Sequence, residues 1–223
     1  MKSLKGIISF FLFFFLINGI HAQLNYKVGY TGGYTDPTIN NSLLQAYNAE
    51  RPWLDKSFKN MHYLSGLVLG ARYRWDVLAF DVSYYGRYFR TRVEGIDPSS
   101  SSTYERKLHY NFNAFAFGIE NFIGQFSWGA SIDINKGDIR TEKTGRDDRF
   151  SVVTQWDYSS HFFIAYNLMA TQLQISIRPY LHIPWSTIDL TPLAEELEIS
   201  TSGPLDESFK NFGIMLIFFN GPQ

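Results

Sequence analysis

From residue 24 onward the chain alternates apolar and polar residues in eight successive segments. Gln125–Asn135 shows the pattern best. Phe126, Trp128, Ala130, Ile132 and Ile134 fall on one face, and Ser127, Gly129, Ser131, Asp133 and Asn135 on the other. A period of two residues is that of a β-strand. The pattern predicts strands at Leu24–Thr31, Met61–Trp75, Val77–Val93, Tyr104–Phe122, Gln125–Thr141, Phe150–Tyr166, Thr171–Ile183 and Ser208–Phe219. Gly32 and Gly33 are expected to end the first strand. In the fourth, Tyr110 and Phe112 are out of phase with Phe115, Phe117 and Ile119, which predicts a bulge between them. Pro179 cannot donate to a ladder, so a bulge or a lost bond is expected there.

The connections alternate in length. A tight turn is expected near Asp76, and short turns at Gly124 and at Asn167–Ala170. The others are long: Thr35–Asn60, with a predicted helix at Ile39–Glu50; Ser-rich Gly95–Ser102; charged Glu142–Arg149; and Trp185–Asp206, with a helical turn at Leu190–Leu197. Short turns on one rim and long loops on the other are the pattern of an outer-membrane β-barrel. The fold class expected is therefore all-β: a transmembrane antiparallel up-and-down β-barrel of eight strands. With the N-terminus in the periplasm, the long loops face outside.

The N-terminus supports export. Lys2 and Lys5 precede the apolar run Ile7–Ile17, which has the length of a signal-peptide core and is too short to span a bilayer. Residues 1–22 are expected to be a cleaved signal peptide and residues 23–223 one barrel domain in a Gram-negative outer membrane. Without cysteine there is neither a disulfide, a thiolate ligand nor a lipid-modified N-terminal Cys. Removing Lys2 and Lys5 from 20 basic residues leaves 18 against 21 acidic, a net charge of −3. That is no footprint for nucleic acid. Aromatic residues make up 17% of the chain, and Tyr26, Tyr73, Trp75, Trp128 and Tyr166 lie near strand ends, as an interfacial girdle requires.

The two faces decide between a membrane barrel and a soluble one. The apolar face is large and aromatic, while the polar face mixes Gly, Ser and Asn with isolated charges. Such a polar face suits a crowded lumen better than open water. Eight strands leave an interior just filled by side chains, so the lumen is expected to be a packed polar core. Its charges must pair, because a stranded one is costly. The expected interior charge network is Lys27, Arg72, Arg74, Asp81, Arg87, Glu120, Asp133, Asp157 and Arg178, with Arg72 paired to Asp81 across the Asp76 turn.

The chain resembles the small OmpA- and OmpX-type barrels, and more particularly the β-barrel proteins of Bacteroidota outer membranes. The signal segment, GYTGGY (Gly29–Tyr34), LGARYRW (Leu69–Trp75) and RPYLHIPW (Arg178–Trp185) carry the resemblance. It implies a stand-alone surface barrel or an accessory subunit of a larger outer-membrane machine. Lipid and lipopolysaccharide are then its surroundings, with another outer-membrane protein as a further partner.

Some eight-stranded barrels modify lipid A with a His and a nearby Ser on a strand. Asp157, Ser159 and His161 share a face here and compose such a row. They point into the lumen, however, and His161 falls in the periplasmic half, whereas lipid A lies in the outer leaflet. His62 and His182 are also expected in the lumen. No His/Asp cluster has metal-ligand spacing, and nothing calls for a cofactor. The function expected is non-enzymatic, exerted through surface and loops, with a lipid A enzyme and a narrow channel as the alternatives.

Overall fold

The computed structural model describes residues 22–145, 148–169 and 173–220, so the predicted signal peptide lies outside the described residues except for Ala22. In chain order the elements are β1 (Ala22–Thr35), α1 (Thr38–Glu50), β2 (Leu54–Lys56), β3 (Tyr63–Trp75), β4 (Leu78–Ile96), β5 (Thr103–Ile123), β6 (Phe126–Lys143), β7 (Phe150–Met169), β8 (Leu173–Pro184), β9 (Ile188–Asp189), α2 (Thr191–Glu196), β10 (Asp206–Glu207) and β11 (Asn211–Asn220). Eight of the strands pair antiparallel in sequence order, and β1 pairs with both β3 and β11, which closes the sheet. The fold is an eight-stranded up-and-down β-barrel. Closure gives every wall strand a paired neighbour on each side, the condition for strands to cross hydrocarbon.

The outward face is apolar over a defined height. On β4 it carries Leu78, Phe80, Val82, Tyr84 and Tyr88, followed by Arg90, Arg92 and Glu94. Ten steps of ~3.3 Å at a tilt of ~40° give a band about 25 Å tall, the height of the apolar belt of a transmembrane barrel. Tyr26, Trp75, Trp128 and Tyr166 ring the turn end of this band, and Tyr63, Tyr88, Tyr158 and Trp185 ring its loop end. The barrel thus spans a bilayer, while β4–β7 rise well beyond it.

Several elements differ from the sequence expectation. β1 does not end at Gly32–Gly33 but runs to Thr35, paired on both sides. Glycine is needed there for close approach: a Cβ on Gly33 would lie 2.3 Å from Tyr180 Oη. Asn167 belongs to β7 instead of a turn. β5 has no bulge, for its registers with β4 and β6 run unbroken. The irregularity lies in the β6–β7 ladder at Ile139/Arg140. Pro179 coincides with a lost stretch of ladder, since β7–β8 pairing skips from Phe163↔Tyr180 to Tyr166↔Ile177.

The phase change in β5 instead marks what fills the bore. Tyr110 and Phe112 point inward, on the same parity as Ala114 and Ala116. In the turn half the interior holds the buried charges beside a smaller apolar cluster that includes Val68, Tyr85, Phe163, Met215, Ile217 and Phe219. In the loop half it is an apolar core, which corrects the expectation of a polar lumen throughout. There Leu43, Leu44 and Tyr47 of α1 and Leu193 and Ala194 of α2 pack on Val93, Leu108, Tyr110, Ile139 and Val153 of the wall. The reason is geometric: above the bilayer the wall stands in water, and only the connections can cover its inner face. β2 continues this cover by pairing Leu54↔Gly95 and Lys56↔Glu94, beyond the last β3–β4 pair Ser65↔Tyr88, and so protects an exposed edge.

Candidate functional site

The polar half of the bore is organised by two acidic centres. Lys27 Nζ donates to Asp81 Oδ2 and Oδ1 at 2.5 and 2.7 Å, and Ser83 Oγ donates to Oδ1 as well. Lys27 reaches over Gly70, its β3 neighbour, where a Cβ would sit 2.9 Å from Lys27 Cε. Glu120 is the second centre. Arg178 Nη2 donates to both its oxygens at 3.0 Å, Ser127 Oγ donates at 2.6 Å, and Arg72 Nη1 lies at 3.4 Å. Arg72 also donates to Gln174 Oε1 at 2.6 Å and stacks 3.8 Å over Phe219. Asp133 accepts from Ser131 and faces His161 Nδ1 at 3.6 Å.

The expected Arg72–Asp81 pair is therefore replaced. The two residues stand directly opposite in the β3–β4 register, yet each takes another partner. In a narrow bore a long side chain reaches across the lumen as easily as along its wall, and stacking on Phe219 aims Arg72 across toward β5. Two further residues of the expected network, Asp157 and Arg87, form no ion pair in it among the described residues, and Arg74 stands at its margin. Arg74 is half-buried at the turn end, donating from Nε to the Asp76 carbonyl at 2.8 Å over the ring of Phe122. Asp157 is half-exposed at the loop end and accepts from Ser186 Oγ at 2.8 Å. Arg87 is buried but hydrogen-bonds neutral partners, Asn211 at 3.2 Å and His182 at 3.1 Å.

The row of Asp157, Ser159 and His161 points inward, with Ser159 and His161 buried. Ser159 Oγ accepts from Asn135 at 2.9 Å, while His161 is packed among Tyr85, Tyr180 and Phe163. Neither nitrogen of His161 has a hydrogen-bond partner among the described residues, so no base–nucleophile bond is formed. His62 departs from expectation: its side chain is 42% exposed and stacks on Tyr34 at the loop end, outside the lumen. His182 is buried in the lumen.

Where the polar and apolar halves meet lies a small pocket open to solvent. Arg87, Asn135, Asp157, His182, Ser186 and Asn211 supply its polar lining. These residues come from β4, β6, β7, β8, β11 and the loop after β8. No sequence spacing announces such a set, though the inward parity expected of Arg87, Asn135, Asp157 and His182 hinted at it.

The cap is tied to the barrel by polar bonds. Glu207 accepts from the first-turn amides of Ile39 and Asn40 at 2.6 and 3.1 Å, giving α1 an acidic N-terminal partner. Arg106 donates to the Glu196 carbonyl of α2 at 2.9 Å, and Tyr110 Oη donates to Asn40 Oδ1 at 2.8 Å. Outside, the protruding ribbon is laced with charge. Lys107 donates to Glu142 at 2.9 Å and approaches Glu105 at 3.0 Å, and Arg92 pairs with Glu94 at 3.1 Å. The Lys107 ammonium holds the Glu142 carboxyl below its usual range. Burial raises Asp138, but hydrogen bonds from Ser151, Arg140 and Thr154 outweigh it and leave the carboxyl low. His109 is held below its ordinary value by burial first, then by Arg149 and Arg90.

No protein-family model and no curated protein matches the chain. Among solved structures it is similar to Ail, the attachment invasion locus protein of Yersinia pestis, at 10% identity and a TM-score of 0.47, over 90% of this chain and 99% of that one. A second structure of Ail, in complex with the heparin analogue sucrose octasulfate, gives 12% identity and 0.43 over the same shares. Neisserial surface protein A gives 8% identity and 0.43, over 92% of this chain and 100% of that one.

Proposed function

We propose that the protein is a non-enzymatic barrel of a Gram-negative outer membrane, of the kind Bacteroidota carry, and that it works through its outward surface as a structural protein or accessory subunit. The bore carries this reading. It is filled twice, by the ion-paired layer around Asp81 and Glu120 and by the apolar cap of α1 and α2. A bore filled in this way favours exchange with the surroundings at the rim over passage through the barrel. Export by a cleaved signal peptide, with the loops outside, places the β4–β7 ribbon in the headgroup layer. There its outward Arg90, Arg92, Lys107, Lys136 and Arg140 stand against Glu94, Glu105, Asp138 and Glu142, a slight basic excess suited to lipopolysaccharide phosphates. Another outer-membrane protein is the second partner this surface suits.

Purification in mild detergent, with identification of what co-purifies, tests the reading. Lipopolysaccharide or a defined membrane protein is expected. Steady single-channel conductance in planar bilayers would restore the channel. A lipid A acyl chain gained or lost in a manner dependent on Ser159 or His161, read by mass spectrometry, would restore the enzyme.

A further inference from the structure

Arg87 is a buried charge without a counter-charge. It is 4% exposed and forms no ion pair among the described residues, and its Nε has no hydrogen-bond partner. Its neutral partners are also one acceptor short. Arg87 Nη1 donates to Asn211 Oδ1, and Nη2 lies 3.1 Å from His182 Nε2. Asn211 Nδ2 lies 3.1 Å from His182 Nδ1 and 3.1 Å from the Phe209 carbonyl. A neutral imidazole has one N–H and one acceptor nitrogen. If Nε2 accepts from Arg87, Nδ1–H faces the Asn211 amide hydrogens. If Nδ1 accepts from Asn211, Nε2–H faces the guanidinium. Turning the Asn211 amide over moves the conflict to Arg87 and to the Phe209 carbonyl, and protonating the ring deepens it. Every arrangement leaves two donors facing each other.

Arg87, His182 and Asn211 all line the pocket between the two halves of the bore. We infer that this pocket takes the carboxylate of a small aliphatic acid, with Arg87 as its charge partner. The guanidinium fork matches a carboxylate's two oxygens, and the anion supplies the missing acceptor. Asp157 on the rim disfavours a doubly charged group such as phosphate. Asn135, whose Oδ1 has no partner, can turn its amide to donate into the pocket. The remaining wall is apolar: Leu64, Phe112, Pro184, Ile188 and Phe209. It suits a short hydrocarbon tail. Exposed Ser186 of the lining follows Trp185, whose amide donates to the Tyr158 carbonyl of β7 at 2.8 Å. The inference rests on the interior alone, independent of what the outer surface meets.

Calorimetric titration of the purified protein with butyrate, glucuronate and inorganic phosphate tests it. Butyrate is expected to bind saturably and more tightly than either other probe. Arg87→Gln should weaken butyrate at least tenfold, with Arg87→Lys between it and the parent. Asp157→Asn, at a half-exposed site that folding tolerates, should tighten butyrate severalfold and keeps the test decisive if Arg87 variants fail to fold. The inference is overturned by absent butyrate saturation, by phosphate or glucuronate binding at least as tightly, by unchanged affinity in Arg87→Gln, or by unchanged or weaker affinity in Asp157→Asn.

Discussion

Glu120→Gln is the most informative single change in the bore. The substitution keeps shape and one acceptor oxygen but removes the charge that Arg178 grips at 3.0 Å through both oxygens and that Arg72 meets at 3.4 Å. Both guanidiniums are buried, so neither finds water in exchange. Hydrogen bonds to a charged acceptor contribute about 1.5–3 kcal/mol each, against about 0.5–1.5 for neutral ones. Downgrading the contacts from two arginines therefore costs about 2–3 kcal/mol, and the uncompensated cations bring the expected loss to about 3–5 kcal/mol. Arg72→Met should cost less, about 1–2 kcal/mol, because Glu120 keeps Arg178 while Gln174 and the Phe219 stack lose a partner. Combining the two should recover part of the Glu120→Gln loss, as coupled neighbours do. Reversible urea unfolding in lipid vesicles, followed by tryptophan fluorescence, supplies the double-mutant cycle. Additive losses, or a Glu120→Gln cost below about 1 kcal/mol, would refute the assignment of Glu120 as the shared counter-ion.

Other consequences are as direct. Lys27→Met should cost about 3–5 kcal/mol in the same assay by stranding Asp81, and adding Asp81→Asn should restore most of it. Gly66→Ala should destabilise by at least about 1–3 kcal/mol, since its Cβ would lie 1.6 Å from the Gly86 carbonyl oxygen, whereas Gly32→Ala, with nothing within 4 Å, should fall within about 1 kcal/mol of the parent. Leu44→Ala should cost about 2–5 kcal/mol and speed amide exchange across α1, because Leu44 is fully buried in the cap. His109 takes its proton less readily folded than unfolded. Its stabilisation is thus whole above about pH 6.5 and declines as the pH falls from there through the folded value; unfolding at pH 7.5 and pH 5 should show this loss in the parent and not in His109→Gln.

The β5 strand shows how far the chain can be read alone. Its alternation announced a strand, and the parity of Phe115, Phe117 and Ile119 announced the lipid face. The same residues could not tell that Tyr110 and Phe112 keep the inward parity, because apolar residues on the polar face look like a slip of register. Only the folding of α1 and α2 into the loop half makes an apolar interior there. GYTGGY misled in the same manner: two glycines read as the end of the strand until the close approach of Tyr180 shows why the strand needs Gly33.

Period-two alternation, the lengths of the connections and the outward aromatics are local properties, and they sufficed for eight strands, their order and the face turned to the bilayer. Which interior charges meet is a property of the closed bore. Arg72 and Asp81 are opposed in register, yet the partners are Glu120 and Lys27, since across a narrow lumen side-chain length and stacking outweigh nearness along the sheet. The uncompensated Arg87 and its pocket belong to the same class. They arise where β8 leaves β7 and the cap meets the polar layer, a junction of distant segments that no local pattern encodes.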